Sequence, residues 1–290
     1  MTKIAFISCL TLLLFAFVAC ANLAYQNSQA EPSVGAHGTV LLANNLPVPH
    51  ATVDLHEVIV EVSGIFHGAP SNIYTRPLQK KGPDYAPRRP MIALTFDDGP
   101  SRYTTGILDV LEEHGAHATF FVLGYRVAAW EETVLRAVAL GSEVAGHSWN
   151  HANFLTLSND AMRSQIRDTS AAIESVTGAT PPSFIRVPYG SISPAIRSVT
   201  RELGYHMVNW SIDPADWRVR DADIIYNHIM ERAVDGGIVL LHDIRPSTVE
   251  AVERVVPSLI ALGFDLVTVS ALLEHFFDDI SPGALYTGIR

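Results

Sequence analysis

Short apolar runs alternate with amphipathic segments from residue 91 to the end of the chain. IALTF (92–96), ATFFVL (118–123), SEVAG (142–146), FIRVP (184–188), YHMVNW (205–210), GIVLLH (237–242) and DLVTV (265–269) have the length and residue types of strands. Between them, YTTGILDVLEEHG (103–115) and SQIRDTSAAIESVTG (164–178) repeat apolar residues every three or four positions and stop at glycine, as helices do. ISPAIRSV offers Ser193 as an N-cap with Pro194 at the first helical position. Seven strands alternating with helices predict an α/β fold on a parallel sheet, open or closed into a barrel. In either closure, the C-terminal ends of the strands line the site.

The first ninety residues follow other patterns. Residues 1–30 carry one early lysine, an apolar run from Ile4 to Ala19, then small and polar residues, the layout of an export signal. FVAC, ending at Cys20, resembles a bacterial lipoprotein processing site, and SQA (28–30) offers a second kind of cleavage point. Residues 31–90 form an N-terminal extension: VDLHEVIVEV (53–62) partly alternates as strands do, and five prolines between 67 and 90 mark an extended linker. Residues 91–276 form the main domain and 277–290 a C-terminal tail. Both cysteines, Cys9 and Cys20, sit in the first segment, so the main domain has neither disulfide nor thiol chemistry.

Charge narrows the partners. Residues 91–290 hold 14 arginines and no lysine against 25 carboxylates, which leaves −11. Such a surface repels polyanions, so nucleic acid is not expected as a partner, and membrane contact is expected only through an N-terminal lipid or an uncleaved signal. A neutral or cationic polymer fits better.

Polar groups interrupt the apolar pattern where strands end. Asp97 and Asp98 follow the first strand, His147 and His151 the third, Arg186 and Tyr189 the fourth, Asp213, Asp216 and Trp217 the fifth, His242 and Asp243 the sixth. Each has an ordinary structural explanation: adjacent acids cap helices, histidines satisfy buried hydrogen bonds, arginines make surface ion pairs and tryptophans fill cores. Five such accidents at one sheet edge are a different matter. One carboxylate and two imidazoles make a three-ligand metal site with a position left for water. The other carboxylate then serves as base and a separate histidine as acid, which describes hydrolysis of an amide or ester.

The ordered set TFDDGP, HSWNH, RVPYG, DPADW and LLHD, with ATFFVLG between the first two, closely resembles the polysaccharide deacetylase family, also called the NodB-homology domain or carbohydrate esterase family 4. The resemblance covers residues 91 to about 276. It implies a distorted (β/α) barrel of about seven parallel strands and metal-dependent removal of acetyl groups from sugars. By that resemblance Asp97 is the general base, and Asp98, His147 and His151 are the metal ligands. Arg186 holds Asp97, and the backbone N–H of Tyr189 helps stabilise the oxyanion. His242 is the general acid with Asp216 beside it, while Trp217 and Leu240 form the apolar pocket for the acetyl methyl. Val187 and Gly146 depart from the residues common in the family, and neither change removes a functional side chain.

The activity this implies is N-deacetylation of N-acetylglucosamine-containing polysaccharide, peptidoglycan or chitin-type oligosaccharide. Acetyl xylan esterase-type O-deacetylation and non-catalytic carbohydrate binding on the same fold are the competing readings. The cofactor expected is one divalent metal, Zn²⁺ first, with Co²⁺, Ni²⁺ or Mn²⁺ also suited to such a donor set. The location expected is extracytoplasmic, secreted or lipid-anchored at the bacterial cell envelope.

Overall fold

In the computed structural model, residues 89–289 are described. The export segment, Cys20 and the extension with its linker up to residue 88 lie outside them. All seven expected strands are present among the described residues: β1 (Met91–Asp97), β2 (Thr119–Val122), β3 (Glu143–Gly146), β4 (Phe184–Ile185), β5 (His206–Val208), β6 (Gly237–His242) and β7 (Asp265–Leu266). An eighth, β8 (Leu285–Tyr286), joins them. Every pairing is parallel, in the order β6-β1-β2-β3-β4-β5-β8, and β7 also pairs with β1.

The helices stop and start where their local chemistry says. In α1 (Thr104–His114) the chain turns out at Gly115, whose φ of 59° is left-handed. The longer α4 (Asn159–Thr177) starts at Ser158, whose side chain accepts from the Ala161 N–H. Ser193 likewise accepts from the Ile196 N–H and Pro194 opens α5 (Pro194–Glu202). Between α1 and α4 lie α2 (Gly124–Val127) and α3 (Glu131–Ala139); after α5 come α6 (Asp216–Val219), α7 (Ala222–Arg232), α8 (Pro246–Ala261) and α9 (Val269–Phe276).

The period of two along each strand sorts the core into two layers. Ile92, Leu94 and Phe96 of β1 and Val239 and Leu241 of β6 point outward into a cluster with Leu108 and Leu111 of α1 and Val252 and Val255 of α8. Their neighbours Ala93, Phe121, Ala145, Phe184, Val208 and Ile238 form an inner cluster instead. Because both faces are covered, β1 is apolar almost throughout, as parallel strands are. Extending the inner alternation by one or two steps carries Asp97, His147, Arg186 and His242 to the mouth of the barrel.

Of the segment 277–290, expected as a tail, the described residues 277–289 include β8 and backbone bonds to β5 and β6. The Asn209 N–H donates to the Tyr286 carbonyl and the Ile289 N–H to the Gly236 carbonyl. Ser211 and Ile212 donate to Ile238, and Leu240 donates back to Ile212. Irregular backbone bonds thus join β5 to β6 across a seam that no long strand spans. The sequence hid this because ALYTG (284–288) is too short to register as a strand by periodicity. Its buried tyrosine was the available signal.

Candidate active site

Several loops at the strand ends adopt a backbone conformation that side chains disfavour. Asp98, Ser148, His151, Tyr189 and Ala215 have φ between 54° and 74°, and they account for five of the six non-glycine residues with positive φ among the described residues. Left-handed backbone at such residues costs energy and gathers where function demands a particular side-chain direction. Here it turns both Asp98, the acid just after β1, and His151, the second histidine after β3, toward the same point.

At that point three candidate ligands meet, one carboxylate and two imidazoles. Asp98 Oδ1 lies 3.6 Å from His147 Nε2 and 3.4 Å from His151 Nε2, and one ligand atom from each of the three falls within 4.8 Å of the others. The His147 Nδ1 sits 2.8 Å from the Arg186 carbonyl. A carbonyl only accepts, so Nδ1 carries the proton and the Nε2 lone pair faces Asp98. Burial and the neighbouring His147 lower the pKa of His151 against the pull of Asp98 and Asp97, which favours the neutral, ligating form. Asp98 Oδ1 is buried and accepts no hydrogen bond. An orphaned carboxylate oxygen beside two imidazole lone pairs is a donor set that fits a divalent metal.

Asp97 points elsewhere. Its Oδ1 accepts from Arg186 Nη1 at 2.7 Å, while Oδ2 stands 3.7 Å from His147 Nε2. Arg186 is wholly buried. Its guanidinium also donates to Thr95 Oγ1 at 2.7 Å, to the Val208 carbonyl at 3.1 Å and to the Asn209 carbonyl at 3.0 Å, and it stacks 4.1 Å above the Phe121 ring. Burial lowers its pKa and the Asp97 charge opposes the shift. Thr95 escaped the sequence reading. A threonine between apolar residues of β1 passes for a strand former, yet it sits two residues before Asp97 and therefore shares its inward face.

Across the mouth, His242 Nδ1 is 2.7 Å from Asp216 Oδ1. Asp216 is fully buried; it also accepts from the His242 and Trp217 N–H groups and, at 2.7 Å, from Thr248 Oγ1. Burial pulls the imidazole pKa down. The hydrogen bond and charge of Asp216, with Asp97 and Asp98 adding, outweigh it and push it up to about 9. Asp213 has a local duty, accepting the Ala215 N–H at 2.7 Å to fix the turn that presents Asp216.

One cavity of about 490 Å³ gathers these groups. Asp97, Asp98, His147, His151, Tyr189, Trp217, Leu240 and His242 all line it; Arg186 and Asp216 stand behind Asp97 and His242. Tyr189 is 67% exposed, its ring meeting that of His151 edge-on at 4.7 Å, and Trp217 is 49% exposed. Exposed aromatic rings beside a cavity suit the apolar faces of sugars. Trp210 and Arg245 also line it and were not singled out from the sequence. Behind the Asp97–Asp98 turn lies Asp243, fully buried, with burial raising its pKa to about 7; a Cβ on Gly99 would fall 2.1 Å from its carboxylate, so only glycine fits there.

A family model described as polysaccharide deacetylase matches residues 84–208. The peptidoglycan-N-acetylmuramic acid deacetylase PdaC of Bacillus subtilis is 41% identical over 189 residues, which cover 65% of this chain and 40% of that protein. The chain therefore spans about two fifths of the length of that relative. A peptidoglycan-N-acetylglucosamine deacetylase of Bacillus cereus is 37% identical over 191 residues, covering 64% of this chain and 89% of that one. The solved structure of PdaC superposes with a TM-score of 0.62 at 40% identity, over 66% of this chain and 93% of the other. A pseudoenzyme of carbohydrate esterase family 4 from Bacillus anthracis also matches, with a TM-score of 0.60 and 28% identity over 66% of this chain and 67% of the other.

Proposed function

This chain belongs to the polysaccharide deacetylase family, and from that premise we propose that it is a metal-dependent amide hydrolase that removes N-acetyl groups from N-acetylglucosamine-containing polysaccharide, with peptidoglycan the leading substrate. The fold alone does not carry the activity, since a pseudoenzyme shares it. The observation that supports catalysis is the convergence, on one cavity, of a carboxylate held by a buried arginine, a three-ligand cluster and a histidine held by a buried acid.

In this reading Asp98, His147 and His151 hold the ion. Zn²⁺ suits one oxygen and two nitrogen donors and Co²⁺ suits them next. When bound, such an ion lowers the pKa of water and polarises the acetyl carbonyl. Asp97 takes the proton of the attacking water, its Oδ1 locked by Arg186 and its Oδ2 left facing the cluster. The backbone N–H of Tyr189 donates to the developing oxyanion. His242 then protonates the departing amine, and Asp216 keeps it oriented and charged. Trp217 and Leu240 enclose the acetyl methyl. We place the protein outside the cytoplasm, secreted or lipid-anchored at Cys20, on the strength of the N-terminal pattern.

The experiment that tests this is acetate release by residues 31–290 from peptidoglycan, chitooligosaccharides and acetylated xylan, after chelation and again after adding Zn²⁺ or Co²⁺. Metal-restored release from an N-acetylated glycan is the expected result. Release from xylan alone makes it an esterase, and no release from any of them with metal bound overturns hydrolysis.

A further inference from the structure

Among the described residues Arg245 is the only arginine or lysine lining the cavity, and it is left over by the chemistry just described. Its Nε is buried and has no hydrogen-bond partner. No ion pair or ring contact involves its guanidinium among the described residues, although Asp97, Asp98 and Asp213 line the same cavity. Unsatisfied buried donors are rare in folded proteins, and an arginine donor carries charge as well. Its backbone is fixed: the residue bridges β6 and α8 at φ −133° and ψ 136°, and Pro246 behind it restricts it to such extended values. A rigid junction thus presents a planar, unpaired cation to a cavity whose other charged walls are the acids Asp97, Asp98 and Asp213 and the histidine His242, which is already paired with Asp216.

We propose that Arg245 recognises a carboxylate carried by the sugar chain, so that the preferred substrate is an acidic N-acetylated glycan and not a neutral one. The proposal rests on the deacetylase reading of the site. An acidic chain of net charge −11 over residues 91–290 disfavours an anionic polymer at long range, and a local guanidinium offsets that repulsion where the polymer must seat. Guanidinium matches carboxylate geometry with two parallel N–H donors, which a neutral hydroxyl cannot use fully. Two sources offer this group in a cell-wall glycan, an O-lactyl ether on the sugar itself and the carboxylates of an attached peptide. The cavity far exceeds the volume of an acetyl group, so the ring that carries the acetamide and its substituents fits within reach.

The test compares metal-loaded wild type, Arg245→Gln and Arg245→Lys on three substrates: peptide-free glycan strands with free lactyl carboxylates, the same strands with those carboxylates reduced to alcohols, and peptide-bearing strands. Wild type is expected to favour one carboxylate form over the reduced strands, mainly through KM. Arg245→Gln is expected to cut that ratio by about tenfold to a hundredfold, the worth of a charge-assisted hydrogen bond, with Arg245→Lys between them. Preference for peptide-free strands names the lactyl group as the source, and preference confined to peptide-bearing strands names the peptide. An unchanged ratio in Arg245→Gln, or no preference in wild type, overturns the proposal while leaving the deacetylase reading intact. If wild type releases no acetate from any strand, that reading falls, and calorimetric binding to the carboxylate and reduced strands decides the role of Arg245. A Kd gap that closes in Arg245→Gln upholds the proposal, and equal Kd values in wild type overturn it.

Discussion

Asp97 and His242 are register partners on adjacent parallel strands, the last residues of β1 and β6. Strands in register about 4.8 Å apart point partnered residues to the same face, so two titratable side chains flank one opening without any loop having to place them. Each is secured by a buried group of opposite charge from a different part of the chain, Arg186 for Asp97 and Asp216 for His242. In the proposed mechanism this arrangement would separate a base, Asp97, from an acid, His242, by environment as well as position.

Asp97 and Asp98 are neighbours with different duties, and substitution should separate them. Asp97→Asn keeps the size of the side chain and leaves Asp98, His147 and His151 intact, so metal should still bind while turnover falls by about 10²–10⁴-fold, the usual worth of a positioned base. His151→Ala removes one of the three proposed ligands and should lose metal and turnover together. Metal content after gel filtration, measured beside acetate release, checks the pair; loss of metal in Asp97→Asn would make that residue a ligand.

The pH profile follows from His242. With its pKa raised to about 9, the imidazolium survives through neutral pH, and activity that needs this proton should fall as pH rises through that value. A bound divalent ion offsets the pull of Asp97 and Asp98, so in the metal-loaded protein the alkaline limb should lie below 9 and above the ordinary histidine value of about 6.5. Asp216→Asn should move that limb to lower pH. The same shift feeds stability: a histidine whose pKa rises on folding stabilises the fold below its unfolded value, and that contribution is lost as pH climbs through the folded one. Rate and melting temperature between pH 6 and 10 report both effects.

Arg186 combines fold and site. Its removal strands Asp97 in the interior and takes a donor from the carbonyls of Val208 and Asn209, while Thr95 Oγ1 keeps its bond to the Val239 carbonyl. Arg186→Met should therefore cost about 3–5 kcal/mol, as breaking one side of a buried ion pair does. Adding Asp97→Asn removes the stranded charge, so the double variant should be less destabilised than the sum of the singles. Thermal or urea unfolding of the four proteins measures the coupling.

Much of this was legible beforehand because strand ends are where polar residues break an apolar pattern. Asp97, His147 and His242 each follow such a run, and the alternation that buries Ala93 and Ile238 carries them inward. What stayed hidden depends on contacts between distant segments. Thr95 looks like any strand threonine until Arg186 arrives from β4. Asp243 looks like a solvated acid until Gly99 closes over it. Arg245 is unremarkable in IRPST, and only the cavity shows that nothing pairs with it.

Residues 277–289 belong to the segment 277–290 set apart as a tail because the family resemblance ends near residue 276. Tyr286 is 1% exposed, its ring meets those of Phe277 and His206 edge-on at 5.1 and 5.3 Å, and its hydroxyl accepts the Ser281 N–H. Its strand closes the edge of β5, and the residues after it reach β6. If the segment is structural, Tyr286→Ala should destabilise by about 3–5 kcal/mol, the range for emptying a large aromatic site, while Thr287→Ala at the neighbouring exposed position should be near neutral. Because Trp210 lines the cavity and stands two residues after the last β5 residue that this strand pairs, loosening should also lower activity before the protein melts. Equal melting temperatures for the two variants would return residues 277–289 to the status of a tail and leave the β5–β6 seam to the bonds of Ser211 and Ile212 alone.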